Sequence, residues 1–104
     1  MKGQNSIAPN PNGLEIATPR VAIIVPAFNE SASIQHVLEE LNRNNPGNWD
    51  IIVINDHSHD NTSNVANEHA EIILDLPINL GIGGCVQSGF LYALRNGYDF
   101  AVQF

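Results

Sequence analysis

The sequence predicts an α/β fold, an open parallel sheet with helices alternating between its strands. Three observations predict it. Val21-Ala22-Ile23-Ile24-Val25 and Ile51-Ile52-Val53-Ile54 are short, continuous, mostly β-branched runs, the pattern of strands buried on both faces. Between them Ile34, Val37, Leu38 and Leu41 fall at i, i+3, i+4 and i+7, the apolar stripe of an amphipathic helix. The alternation then repeats through Ile72–Leu74, a helix, and Phe100–Phe104. Strand and helix in strict succession specify parallel pairing with right-handed crossovers.

Taken in order, residues 1–19 hold three of the prolines, two glycines and several asparagines with no apolar period, and are expected to form a flexible leader. The structured subdomain is expected over 20–104. Its first strand should stop at Pro26, which has no N–H for a ladder. Ala27-Phe28-Asn29-Glu30 then opens from the carbonyl end of that strand, and Ser31 or Asn29 is placed to cap the helix that follows. Asn44-Asn45-Pro46-Gly47-Asn48 ends that helix by turn chemistry. The second strand runs out into Asn55-Asp56, and His57-Ser58-His59-Asp60-Asn61-Thr62 leads to a short helix over about 62–69. Pro77–Gly84 reads as a glycine-containing loop. A helix from about Cys85 to Asn96 should bury Val86, Phe90, Ala93 and Leu94, with Gly89 allowing close approach to the sheet.

Composition narrows the function classes. Eleven acidic residues against four basic ones give a net charge of −7, which argues against nucleic acid, whose phosphates need clustered Lys and Arg. Hydrophobic content is ordinary at 43%, and no apolar run approaches a membrane span. Met1-Lys2 is followed by Gly, Gln, Asn and Ser, so no secretory signal is expected and cytosolic exposure is the default. The single Cys85 allows no intrachain disulfide.

In an open α/β sheet, ligands bind outside the carboxyl ends of the strands. Phe28, Asn29 and Glu30 lie there, with a ring to stack on a planar base and polar groups to hydrogen-bond it. Asp56 lies at the same edge, able to accept from a base N–H or a ribose hydroxyl, while Asp60 reads as the cap of the next helix. His57-x-His59, flanked by Asp56 and Asp60, has ligand chemistry for a metal. No third cluster stands at a matching spacing, so the pair reads as solvated loop histidines. Asn79-Leu80-Gly81-Ile82-Gly83-Gly84 resembles a phosphate-cradling loop before a helix without matching the dinucleotide or P-loop patterns; its glycines equally serve turning and packing. Cys85, with no histidine to pair with, reads as a small buried residue.

Together these stretches resemble the N-terminal half of a family-2 glycosyltransferase of GT-A type, over Arg20 to Phe104. The likeness rests on Ile24-Val25-Pro26-Ala27-Phe28-Asn29-Glu30, on Ile52 through Thr62, and on Asn79 through Gly89, three motifs in order. It is nearest to dolichyl-phosphate mannose synthase-like enzymes and bacterial transferases of cell-surface polysaccharide. The resemblance implies a Rossmann-like nucleotide-binding half and a nucleotide-diphosphate-sugar donor, with a lipid-linked or polysaccharide acceptor. Pro26, Ala27, Phe28 and Glu30 would line the base and ribose pocket, Asn55 and Asp56 would stand where the family often has two acids, and Gly81 and Gly83 would shape the wall. Three positions depart from the family pattern: Asn55 for the first acid, His57 for a glycine, and Ile82 for a frequent basic residue.

The family's metal-binding Asp-x-Asp follows the fourth strand, where this sequence stops. The resemblance therefore implies a magnesium or manganese ion for the whole enzyme, with its ligands absent from these residues, no catalytic residue among them, and a chain that is silent alone. A full-length protein at the inner face of a membrane is compatible with it. The fourth-strand edge, apolar at Phe100, Ala101, Val102 and Phe104, is expected to self-associate. The competing expectation is a noncatalytic nucleotide-binding or regulatory α/β domain.

Overall fold

A computed structural model describes residues 7–9 and 15–104. Two short strands, β1 (Ile7–Pro9) and β2 (Glu15–Ala17), pair antiparallel, where the sequence had suggested no regular structure. The rest of the expected leader before Thr18 lies outside the described residues. The main sheet has four parallel strands: β3 (Val21–Ala27), β4 (Asp50–Asn55), β5 (Ile72–Asp75) and β6 (Phe100–Gln103), in the order β5-β4-β3-β6. The helices α1 (Ile34–Arg43), α2 (Thr62–Asn67) and α3 (Gly81–Arg95) form the crossovers.

The two central strands make the core. Ile51, Ile52, Val53 and Ile54 are fully buried, and each such side chain stabilises the fold by about 1.5–3 kcal/mol relative to exposure. Alternation along the strands divides them between two faces. Ile23, Val25, Ala27, Ile51 and Val53 face α1 and α2, packing on Ile34, Leu38 and Ala66. Ala22, Ile24, Ile52 and Ile54 face α3, packing on Cys85 and Ala93.

Three sequence expectations are corrected. β3 continues through Pro26 to Ala27, with Pro26 opposite Ile54 and Ala27 opposite Asn55. Ala27 faces β4, since its carbonyl accepts the Asp56 N–H at 2.8 Å, and Ile24 faces β6, since its carbonyl accepts the Phe104 N–H at 3.0 Å. Pro26 shares the parity of Ile24, and β6 is in register only from Val21↔Phe100 to Ile24↔Gln103. The missing N–H is thus on the β6 side, and the β3–β4 ladder loses no bond. Second, α3 starts at Gly81, four residues earlier than expected. Third, its buried stripe is Cys85, Gly89 and Ala93, at i, i+4 and i+8. Val86 is only part-buried, and Phe90 and Leu94 are exposed.

The close approach at Gly89 explains the rotated stripe. A Cβ there would lie 2.4 Å from Ile24 Cγ2, so the helix sits too near the sheet for a large side chain to face it. At the opposite edge of the sheet, the start of β6 is tied to β3. The Arg20 amide donates to Asp99 Oδ2 at 2.8 Å, and its guanidinium lies 4.2 Å from the centre of the Tyr98 ring. The Tyr98 hydroxyl donates to Asp50 Oδ2 at 2.6 Å; burial and that carboxylate push its pKa well up. Among the described residues β6 is one of the two edge strands, β5 being the other, with Phe100, Val102 and Phe104 exposed.

Candidate nucleotide site

The carboxyl ends of β3 and β4 deliver two loops, and these are laced together. The β3–α1 loop turns at Asn29 (φ 51°) and the β4–α2 loop at His57 (φ 62°), a left-handed backbone that Asn and His tolerate better than most residues. The Asn29 amide donates to Ser58 Oγ at 2.9 Å, and the His59 amide donates back to Asn29 Oδ1 at 2.8 Å. The Glu30 amide donates to Thr62 Oγ1 at 2.8 Å, and the Ser31 amide to Asp60 Oδ2 at 3.1 Å. Asp60 Oδ1 also accepts from the Thr62 amide at 3.0 Å and from the Thr62 hydroxyl.

Asp60 is not the cap its sequence position suggested, because the N-cap of α2 is Asn61, with no side-chain cap bond; one residue earlier, Asp60 accepts from Thr62 and also anchors the loop before α1. The Thr62 hydroxyl, with the amides of Ser31 and Thr62, lowers its pKa from 3.8 to about 2. The α1 start differs from expectation. No side chain caps it; the Glu30 carbonyl accepts from the Ser33 and Ile34 amides at 3.0 and 2.8 Å, because Asn29 and Ser31 are engaged with the neighbouring loop.

Asp56 is buried at the junction of these loops with α3. Its Oδ1 accepts the Leu80 N–H at 2.7 Å and its Oδ2 the Gly81 N–H at 2.9 Å. The carboxylate thus satisfies two of the four orphan amides of the helix and meets the positive end of its dipole. That contact, with Gly81 at φ 77°, starts the helix early. The amides expected to cradle a phosphate are in part already occupied by a side chain of the same chain.

A cavity of ≈ 250 Å³ opens here. Of the residues singled out from the sequence, Pro26, Ala27, Phe28, Glu30, Asp56 and Gly81 line it, joined by Asn79, Ile82 and Cys85. Asn55 and Gly83 are not among the lining residues. Asn55 Nδ2 donates to Asp75 Oδ1 at 2.9 Å, and its Oδ1 accepts the Ser58 N–H at 3.2 Å, so it braces the turn. Gly83 faces open space. Asn79 was missed as a site residue because its role is non-local: Nδ2 donates to the Asp56 carbonyl at 3.1 Å, 23 residues away. Cys85 is buried, as expected, but lies within the second turn of α3. Its thiol contacts the Ile54 carbonyl at 3.4 Å, and burial, with the nearby Asp56 charge, pushes its pKa up to about 11. It is no nucleophile at neutral pH.

The described residues gather no cation site. Both Asp56 oxygens accept helix amides, His57 and His59 stack edge to face with ring centres 5.1 Å apart, and no group of three or more His, Cys, Asp or Glu among the described residues could hold a metal.

A cavity at the carboxyl edge of a parallel sheet, walled by a glycine-started helix and floored by a buried carboxylate, suits a nucleotide. The sequence model for glycosyl transferase family 2 matches residues 22–96. The chain belongs to that family. It is 37% identical over 86 residues to a dolichyl-phosphate beta-glucosyltransferase of Trichomonas vaginalis, covering 70% of this chain and 26% of that protein. It is 33% identical over 89 residues to an undecaprenyl-phosphate mannosyltransferase of Micrococcus luteus, covering 81% and 36%. A probable glycosyltransferase of Bacillus subtilis is 34% identical over 82 residues, covering 69% and 20%. Each match therefore spans a fifth to a little over a third of its relative. All three motifs that suggested the family-2 resemblance begin within the matched segment. No helix among the described residues is long and apolar enough to cross a membrane.

Proposed function

We propose that this chain supplies the donor-nucleotide half of an enzyme that moves a sugar from a nucleotide-diphosphate sugar to a lipid-linked phosphate acceptor. The observation that carries the reading is the cavity beside buried Asp56, between the laced loops and the start of α3. In it the half-exposed Phe28 ring offers a stacking surface, Asp56 a hydrogen-bond acceptor for the base, and Glu30 an acceptor for a ribose hydroxyl. Two relatives named for dolichyl-phosphate and undecaprenyl-phosphate support the acceptor class, and a lipid acceptor of that kind would be met at the inner face of a membrane. Neutralising the leaving diphosphate calls for a magnesium or manganese ion, held by residues other than those described.

Calorimetric titration of the chain with nucleoside diphosphates tests this. Binding is expected without added manganese, with no sugar transfer, and Asp56→Ala should weaken it about tenfold, the worth of a hydrogen bond to a charged acceptor. Helix content by circular dichroism checks that α3 survives in that variant. Undiminished nucleotide affinity in a folded Asp56→Ala protein would remove Asp56 from the site.

A further inference from the structure

Among the described residues the main sheet has two outer edges, β5 and β6, and they differ. On β5 the apolar side chains are packed, Ile73 on the α1 and α2 side and Ile72 and Leu74 on the α3 side, and Asp75 puts a charge in the strand. On β6, Phe100, Val102 and Phe104 are exposed. The stretch Phe100–Phe104 holds no charged residue and no proline, the usual guards of a sheet edge. The neighbouring Asp99 carboxylate is turned inward to the Arg20 amide. The Phe100 and Phe104 amides donate to the carbonyls of Arg20 and Ile24. By alternation, the N–H and C=O groups of Ala101 and Gln103 point out of the sheet, where no strand among the described residues meets them.

That edge is complementary to itself. Laid antiparallel about Val102, two copies of β6 oppose Ala101 to Gln103 twice, and each such pair exchanges two N–H···O=C bonds. Phe100 then meets Phe104 twice and Val102 meets Val102, in the positions where cross-strand side chains come closest. All three lie on the sheet face of Ile23. There Val102 and Phe104 line an apolar hollow of ≈ 180 Å³ with Ile23, Leu41 and Trp49. We propose that a second copy of this chain pairs along β6, joining the two four-stranded sheets into one. The area sets the strength. Phe100, Val102 and Phe104 are 61%, 41% and 62% exposed. Scaled to whole side chains, that row supplies roughly 300 Å² per copy, against roughly 800 Å² per partner in a standard stable interface. The dimer is therefore a weak one that dissociates at micromolar concentrations. Each copy carries a net charge of −7, so added salt screens repulsion and should tighten it.

The test is size-exclusion chromatography with light scattering on the whole chain, across a dilution series from low micromolar to near millimolar, paired with amide hydrogen exchange. A monomer–dimer equilibrium is expected, tightened several-fold by salt. The Ala101 and Gln103 amides should gain protection with concentration, while the Val102 amide, turned toward β3, stays protected throughout. Val102→Lys sets like charges against each other across the two-fold axis. Gln103→Pro removes an outward N–H and no bond to β3, and it decides alone if the lysine variant does not fold. Each should weaken dimerisation about tenfold or more with circular dichroism unchanged. A folded Gln103→Pro protein that dimerises like the parent overturns the proposal, as does a dimer that salt dissociates or a species larger than a dimer. A monomer at every concentration overturns it too, whether the Ala101 and Gln103 amides exchange freely or are covered by another segment of the chain.

Discussion

The two faces of the sheet are closed by different means. On one, α1 and α2 bring branched side chains, Ile34 and Leu38 above all, down onto Ile23, Val25, Ile51 and Val53. On the other, α3 comes so close that its fully buried residues are the small Cys85, Gly89 and Ala93, with Tyr92 packed partly buried beside them and Leu94 74% exposed. The first face is held by volume and the second by proximity. The difference carries through to the site. The α1 and α2 starts are tied to each other by side chains exchanged between loops, whereas the α3 start is tied to the sheet by Asp56 alone among the site carboxylates. The face held by proximity is therefore the one whose helix position sets the cavity.

The contrast predicts opposite sensitivities to changing side-chain size. Leu38→Ala should give the largest loss, about 2–5 kcal/mol by urea unfolding, because it opens a void in a face filled by large groups. Gly89→Ala should do the converse. Its added methyl meets Ile24 Cγ2 at 2.4 Å and Ile54 Cδ1 at 3.3 Å, and the nearer atom is a branch next to the backbone that cannot swing aside. A loss of about 1–3 kcal/mol is expected from overpacking, together with weaker nucleotide binding as α3 lifts from Asp56. A Gly89→Ala protein as stable as the parent would show that α3 can recede freely, and the distinction between the faces would fail.

Much of this was legible in the sequence, for reasons visible in particular residues. The runs at 21–25 and 51–54 could be nothing but buried strands, and the four-residue helical period at Ile34 and Leu38 placed α1 correctly. Six of the eight suggested site residues line the cavity because the carboxyl edge of a parallel sheet gathers them whatever the loop details. The failures share one cause: they depended on contacts far away in sequence. Pro26 remains in its strand because its missing N–H is turned away from β4. The stripe of α3 follows the Ile24 methyl rather than its own hydrophobicity, and α3 begins at Gly81 because a carboxylate 25 residues earlier accepts its amide. Asn55 was given to the site by its position, and its side chain instead joins Asp75 and Ser58.

The smallest expected effect concerns the lacing of α1 and α2, and it is read by pH. The Asp60 carboxylate is ionised down to about pH 2, against 3.8 for an unperturbed group, chiefly through the Thr62 hydroxyl. Because the folded state holds this carboxylate deprotonated more firmly than the unfolded chain does, its contribution is fully present above about pH 4. It fades as the pH falls from 3.8 toward 2 and is gone below. Asp60 is exposed, so solvent screens the effect and a modest change is expected. Asp60→Asn should melt slightly below the parent protein at pH 7, and the gap should close between pH 4 and pH 2. Asn keeps one acceptor for the Ser31 or Thr62 amide, so a gap that closes with pH reports the charge rather than the turn. A gap constant over that range would mean that the loops are held by shape alone, and that charge plays no part in how the α1 and α2 side differs from the α3 side.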